Sequence, residues 1–373
     1  MAILAGMDET DRTYSDVVAS GLEGVEVART ALSHVDGERG RLIVAGRDVE
    51  DLAAQAGFEE VCALLWEDAA GREELGRALG RGRVRAFDEI PRLGAALEAS
   101  DAMDGLRAAI AHLAAGEDPR EDRVRVTAAM AVFAAAWCRI HAGSSPLPPD
   151  AGSSHAADYL RMATGSREQA RGLEAYLVTV AEHGMNASTF AARVVTSTGS
   201  DLVSAVVAAL GALKGPLHGG APGPVLDMLD AVGEPERAAA WLEAELAAGR
   251  RIMGMGHRVY RVRDPRAAVL EKAVEALERA DISGTRLRLA RAVERTAEAL
   301  LQARHPERRL RANVEFYTAV LLEAVGLPRE AFAATFAVGR VAGWCAHVAE
   351  QRRTGRLIRP SARYVGPMPS LSR

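Results

Sequence analysis

Asp201-Leu-Val-Ser-Ala-Val-Val-Ala-Ala-Leu-Gly-Ala-Leu213 runs straight into Lys214-Gly-Pro-Leu-His-Gly-Gly220. The first stretch reads as a helix with Ser200 as its cap and apolar residues on nearly every face, which places it in the middle of a core. Such a helix needs other helices around it, so the chain is expected to be mainly α. Pro216 ends the helix and throws His218 into a glycine-rich loop, where the backbone can come close to a ligand.

Outward from this point the pattern repeats. Ala, Leu, Arg and Glu dominate, aromatic residues are only 5%, and apolar positions recur at helical spacing through most of the chain. Helices are expected at about 47–57, 58–68, 70–80, 90–99, 101–115 and 122–142. They resume at 156–164, 167–182 and 186–198. One begins at Gly223-Pro224, and a last long one spans 328–353. Between them, 143–154 reads as a plain loop, 224–326 as a separable lobe of amphipathic helices, and Gly355–Gly366 as a basic extended tail. The exception to helix is Arg29–Ala45, where two short alternating runs flank Asp36-Gly37 and predict a small N-terminal β-hairpin.

Composition narrows the function classes. A net charge of -4 over 373 residues gives no general attraction to nucleic acid or an anionic membrane. The basic residues are nearly all arginine, since Lys214 and Lys272 are the only lysines. Cys62, Cys138 and Cys345 are odd in number and far apart, which indicates neither a disulfide framework nor a metal knuckle; a reducing cytoplasm is the expected setting. The N-terminus, with Asp8, Glu9 and Asp11, lacks a signal pattern. The longest apolar stretch, Val126–Cys138, is shorter than the roughly 20 residues that span a bilayer. A soluble protein is expected.

Two histidines stand out, His218 and His257, the latter in Met253-Gly-Met-Gly-His-Arg-Val-Tyr260. Neither belongs to a metal-ligand pattern, so no metal is expected and acid–base or electrophilic roles fit better. A neutral imidazole can polarise a carbonyl if the protein holds its other nitrogen. Arg266 follows His257 closely enough to line the same pocket. Arg340 interrupts the apolar Phe336-Ala-Val-Gly-Arg-Val-Ala-Gly-Trp344, and a buried guanidinium needs an anion, either a core carboxylate or one on a substrate. Asn313-Val-Glu-Phe-Tyr317 reads as a helix start capped by Asn313. The helix dipole there lowers the pKa of Glu315, so a base at this position needs a dry site to be effective. His183 sits beside another helix start, where capping and ligand binding compete. His347 is read as packing. No phosphate loop or dinucleotide fingerprint occurs.

In order along the chain, Gly21-Leu-Glu-Gly-Val25, Asp36–Ile43, His183 with Asn186-Ala-Ser-Thr-Phe190, Lys214–Gly220, Gly256–Tyr260, Asp264-Pro-Arg266, Phe316-Tyr317 and Arg356-Leu-Ile-Arg-Pro360 resemble the citrate synthase family, including its 2-methylcitrate synthase branch. The resemblance implies a two-domain helical fold: a large domain from 1–218 and 327–373, and a small domain, 219–326, that closes over the substrates. It implies a homodimer that condenses acetyl-CoA with oxaloacetate and hydrolyses the product to citrate and CoA, with no tightly bound cofactor. By this similarity His218 would stabilise the enol or enolate, His257 would polarise the oxaloacetate carbonyl, and Glu315 would be the base. His183, Arg266 and Arg340 would hold oxaloacetate, with Arg359 reaching across the dimer. Arg261 would meet the CoA phosphates, as would Arg309 and Arg311.

Two positions depart from the family pattern. Glu315 stands where aspartate is usual, adding about 1.5 Å of reach, and Ala221-Pro-Gly-Pro224 replaces the frequent Ala-Asn-Glu. Propionyl-CoA as the acyl donor, giving 2-methylcitrate, and a slow paralogue that binds oxaloacetate or CoA as a sensor are the alternatives.

Overall fold

A computed structural model describes residues 20–22, 24–219, 222–257, 259–280 and 286–369. Residues 1–31 and 32–373 are separate units; a 3-10 turn at Ser20–Leu22 is the regular element described in the first. All else lies in the second unit.

That unit begins with an antiparallel sheet, β1 (Ser33–Asp36), β2 (Arg41–Val44) and β3 (Arg47–Asp48), with Ser33 opposite Val44 and Asp36 opposite Arg41. The predicted hairpin is present, and a third short strand extends it. Helices α1 (Val49–Gln55), α2 (Phe58–Trp66), α3 (Gly71–Glu89), α4 (Ala102–Ala111) and α5 (Pro119–His141) follow. Then come α6 (His155–Thr164), α7 (Ala170–Val180), α8 (Ala187–Ser197) and α9 (Leu202–Leu213). The remainder is α10 (Pro222–Val232), α11 (Ala238–Ala247), α12 (Pro265–Arg279), α13 (Leu287–Arg304), α14 (Val314–Ala324) and α15 (Phe332–Thr354). None of the described helices is long and apolar enough to cross a membrane.

The core is centred on α5, buried from Val126 to Cys138, and on α15, buried along most of its length. Gly339 and Gly343, one turn apart on α15, let it cross the end of α7 closely. A Cβ at Gly343 would collide with the Ala181 carbonyl, to which the Gly343 N–H donates at 3.1 Å. This crossing brings Arg340 beneath the turn between α7 and α8.

Several expectations are corrected. α9 packs on α8, α4 and α15, but Ser204 and Gly211 are exposed and Val207 and Ala208 half-buried, one stripe at helical spacing. The helix is therefore covered on three sides, not all round. Its cap is Asp201, which accepts from the Ser204 N–H, instead of Ser200. α3 continues nine residues past the expected end at position 80, and 90–99 forms two 3-10 turns, at Ile90–Arg92 and Gly94–Glu98, because Pro91 and Gly94 interrupt an α-helical run. α10 starts at Pro222, two residues earlier than expected. The 143–154 loop is tied down by buried Arg83, which donates to the carbonyls of Asp150 and Ser153 and pairs with Asp158.

Candidate active site

Three chain breaks meet at one place. The turn between α7 and α8 carries His183. The loop 253–257 pairs with the segment before α14: Gly256 N–H donates to the Arg311 carbonyl at 2.7 Å, and Asn313 N–H to the Gly254 carbonyl at 2.9 Å. Gly254 is indispensable to this pairing, since its φ is +72° and a Cβ there would lie 2.9 Å from Phe316. The pairing sets His257 beside the first turn of α14, where Glu315 sits. Arg266, in the first turn of α12, completes the group.

The histidines are neutral and oriented. Both the Val259 and Tyr260 N–H groups donate to His257 Nδ1, at 3.0 and 3.1 Å. Nδ1 is thus an acceptor, and the ring's single proton lies on Nε2. Burial and the nearby Arg266 push this imidazole down to about 4, so at neutral pH it is an uncharged donor. His183 lies 5.7 Å away, centroid to centroid, with Nε2 3.1 Å from the Tyr260 hydroxyl. Burial, then Arg266 and Arg340, hold it well below the ordinary histidine value.

His218 Nε2 lies 2.9 Å from Ser188 Oγ. That oxygen also receives the Trp344 indole N–H at 3.2 Å and lies 2.7 Å from Asn186 Oδ1. The one Ser188 proton thus has two acceptors in reach. When it goes to His218 Nε2, the neutral ring carries its proton on Nδ1. Burial and Arg340 lower His218 to about 4.

The acidic and basic groups are equally constrained. Asn313 caps α14 as predicted, accepting from the Glu315 N–H at 3.0 Å. The dipole does not decide the Glu315 carboxyl: burial and neighbouring Asp264 raise it, against Arg266 and Arg340, to about 7. Arg266 is buried and forked onto Asp264, with bonds of 3.0 and 2.7 Å, while its Nη2 faces His257 Nε2 at 3.5 Å. Arg340 is 1% exposed and donates from Nε to the Val180 carbonyl. Its Nη2 has no partner, and no described carboxylate lies within ion-pair distance. Of the two partners foreseen for Arg340, a paired core carboxylate is therefore the one not observed. A buried, unsatisfied guanidinium arm is costly unless an anion completes it.

His183, His218, His257, Arg266, Glu315 and Arg340 thus share one charged neighbourhood. Arg359 is exposed on the tail, which is pinned at Ile358, whose N–H donates to Ser197. Arg261 and Arg309 are exposed, and Arg311 pairs with Glu298. Among the described residues no three His, Cys, Asp or Glu side chains form a possible metal site. The cavity walled by Arg123, Leu202, Cys345, Val348 and Arg352 is elsewhere and includes none of these groups.

Sequence reasoning missed Ser188, Tyr260, Asp264 and Glu182 as supports. Ser188 and Asp264 lie inside quoted motifs, and their proximity to helix starts was the available signal.

The hairpin supports both histidine turns. Ser33 Oγ donates to Glu182 at 2.8 Å and receives the Gly184 N–H at 3.0 Å. The Gly37 carbonyl receives the Arg261 N–H at 2.9 Å, and a Cβ on Gly37 would collide with the Val259 carbonyl.

Residues 21–361 match the family model "Citrate synthase, C-terminal domain". A citrate synthase of Haloferax volcanii is 38% identical, over 93% of this chain and 95% of its own length. Among solved structures, citrate synthase from Thermotoga maritima is 36% identical with a TM-score of 0.82, covering 95% of this chain and 97% of that one. A ternary complex of citrate synthase from Thermoplasma acidophilum with carboxymethyl coenzyme A and oxaloacetate is 28% identical with a TM-score of 0.83, covering 95% and 98%.

Proposed function

The chain belongs to the citrate synthase family, and we propose that it condenses acetyl-CoA with oxaloacetate and hydrolyses the resulting thioester to citrate and free CoA through the six residues gathered above. The observation that carries the reading is the pairing of a base raised to about 7, Glu315, with histidines held neutral near it.

Glu315 takes a proton from the acetyl methyl group. His218, holding its proton on Nδ1 through Ser188, donates to the thioester oxygen as negative charge develops there. His257 Nε2–H donates to the oxaloacetate carbonyl, making its carbon electrophilic. The enol carbon then bonds to that carbonyl carbon as His218 Nδ1 takes back the enol proton and the carbonyl oxygen takes the proton of His257 Nε2; water later attacks the thioester carbonyl and CoA leaves as the thiol. Neutral imidazoles suit this work, because burial beside Arg266 and Arg340 disfavours a charged ring while a neutral one still aims an N–H at the developing charge.

Oxaloacetate's carboxylates are assigned to Arg340, whose Nη2 lacks any partner, and to Arg266 with His183. The partner subunit's Arg359 completes the set in a homodimer. The unburied stripe Ser204, Val207, Ala208 and Gly211 on α9 supports such an interface, since small and apolar residues at helical spacing suit helix-on-helix packing. Arg261 and Arg309 are assigned to the CoA phosphates; Arg311, engaged with Glu298, would have to exchange partners. Residues 219–326, which carry His257 and Glu315, are assigned to the closing domain, and closure keeps water from the enol.

The test is oxaloacetate-dependent release of free thiol from acetyl-CoA and, separately, from propionyl-CoA. Turnover that is faster on acetyl-CoA by kcat/KM is expected. Preference for propionyl-CoA would reassign the acyl substrate, and no thiol release from either would refute the reading.

A further inference from the structure

Directly before His183 lies a second polar system, buried except for the half-buried Ser33 at its edge. Glu182 Oε1 receives three donors: Ser33 Oγ at 2.8 Å, the Gly184 N–H at 2.6 Å and His347 Nε2 at 3.0 Å. His347 Nδ1 in turn accepts from Arg193 at 2.9 Å, which fixes Nε2 as the donor to Glu182. Arg193 also binds Glu350 at 2.6 Å and Gln351 at 2.9 Å. Far from simple packing, His347 joins α15 to the turn that carries His183.

The other carboxylate oxygen, Oε2, is buried and has no partner. It faces the backbone of Gly343, where a Cβ would collide with it. Arg340 lies one turn earlier on α15, is equally buried, and has an unpartnered Nη2. The two are buried groups of opposite charge, each with one unpartnered polar atom, and their fields act on one another. The His347–Glu182 pair has 0% side-chain exposure on both sides, so water does not screen it.

We propose that Glu182 is a positioning residue of the condensation site: its Oε1 fixes the turn that carries His183, and its Oε2 is the internal counter-charge of Arg340, moderating how tightly Arg340 holds a substrate carboxylate. The inference rests on the assignment of an oxaloacetate carboxylate to Arg340. The two halves of Glu182 thus have separate duties. An ionised Glu182 attracts Arg340 when the site is empty and repels the incoming carboxylate, so it lowers affinity and eases exchange of substrate and product.

The experiment is calorimetric titration of oxaloacetate into wild type, Glu182→Gln and Glu182→Asp, with the fold checked by circular dichroism. Glu182→Gln keeps an oxygen for Ser33, Gly184 and His347 but loses the charge. Oxaloacetate binding is expected to tighten about 5-fold or more, because one buried like charge that repels the substrate carboxylate is removed. Glu182→Asp draws the charge back by about one bond and is expected to tighten binding about 2-fold. It also serves as the test if Glu182→Gln does not fold. Structural damage to the turn would weaken binding, so the direction separates the two. Equal or weaker binding in a folded variant, with the wild type binding normally, overturns this proposal alone. Absence of oxaloacetate binding by the wild type overturns the underlying assignment and the proposal with it.

Discussion

Replacing Glu315 with Gln separates what this carboxyl costs from what it does. In the folded chain it titrates at about 7 instead of the ordinary 4.5, a displacement corresponding to roughly 3 kcal/mol at about 1.4 kcal/mol per tenfold. Some contact with solvent trims the figure to about 2–3 kcal/mol. Because the folded value is raised, its favourable contribution is complete below about pH 4.5 and is lost as pH rises through 7. Above that, the wild type carries an ionised carboxylate in a site that disfavours it. Glu315→Gln fills the same space and never ionises. It is therefore expected to exceed the wild type in unfolding free energy by about 2–3 kcal/mol at pH 8 and by less than about 1 kcal/mol at pH 5. Its kcat should fall by about a thousandfold through loss of the base. In the wild type, kcat should drop about tenfold from pH 8 to pH 6, as Glu315 takes up its proton. Guanidinium titrations at the two pH values, with thiol-release kinetics alongside, supply both numbers. A stability gain that is the same at pH 5 and pH 8 would refute the reasoning, because it could not come from ionisation of this group.

His257→Asn removes the Nε2–H donor, and kcat is expected to fall by about a hundredfold or more; a change confined to KM would show that this ring only binds. Gly254→Ala forces a Cβ onto Phe316 at a positive φ and should destabilise by about 2 kcal/mol or more, with a lower thermal midpoint and loss of activity; a midpoint within a degree of wild type would contradict the tight pairing drawn for this loop. Arg359→Ala should raise the oxaloacetate KM about tenfold or more while leaving the dimer folded, and unchanged affinity would remove this residue from the site.

Much of the helical framework was legible because periodicity is a local signal. Asn313 capping α14 and His218 beyond Pro216 were read from a few neighbouring residues. What escaped depends on contacts between distant segments. Ser188 meets Trp344 across 156 positions and Glu182 meets His347 across 165, and no local pattern encodes either. α3 was expected to end at position 80, yet it runs on through Gly80 and Gly82 to Glu89. These two glycines are where the Ala151 backbone and Ala128 press against the continuing helix. The rise of Glu315 was likewise invisible, since the capped first turn argued for a lowered value and burial, with Asp264 beside it, reversed it.

Ser33, on the first strand, hydrogen-bonds Glu182, which in turn meets His347 on the last helix. The first strand and the last helix therefore converge on one carboxylate. During synthesis the hairpin must wait for almost the entire polypeptide before its hydroxyl finds its final setting. Contacts of such separation close late and slowly, so the catalytic centre is a finishing step of folding. A chain truncated before α15 would keep many of its helices' local preferences and still have no site to assemble.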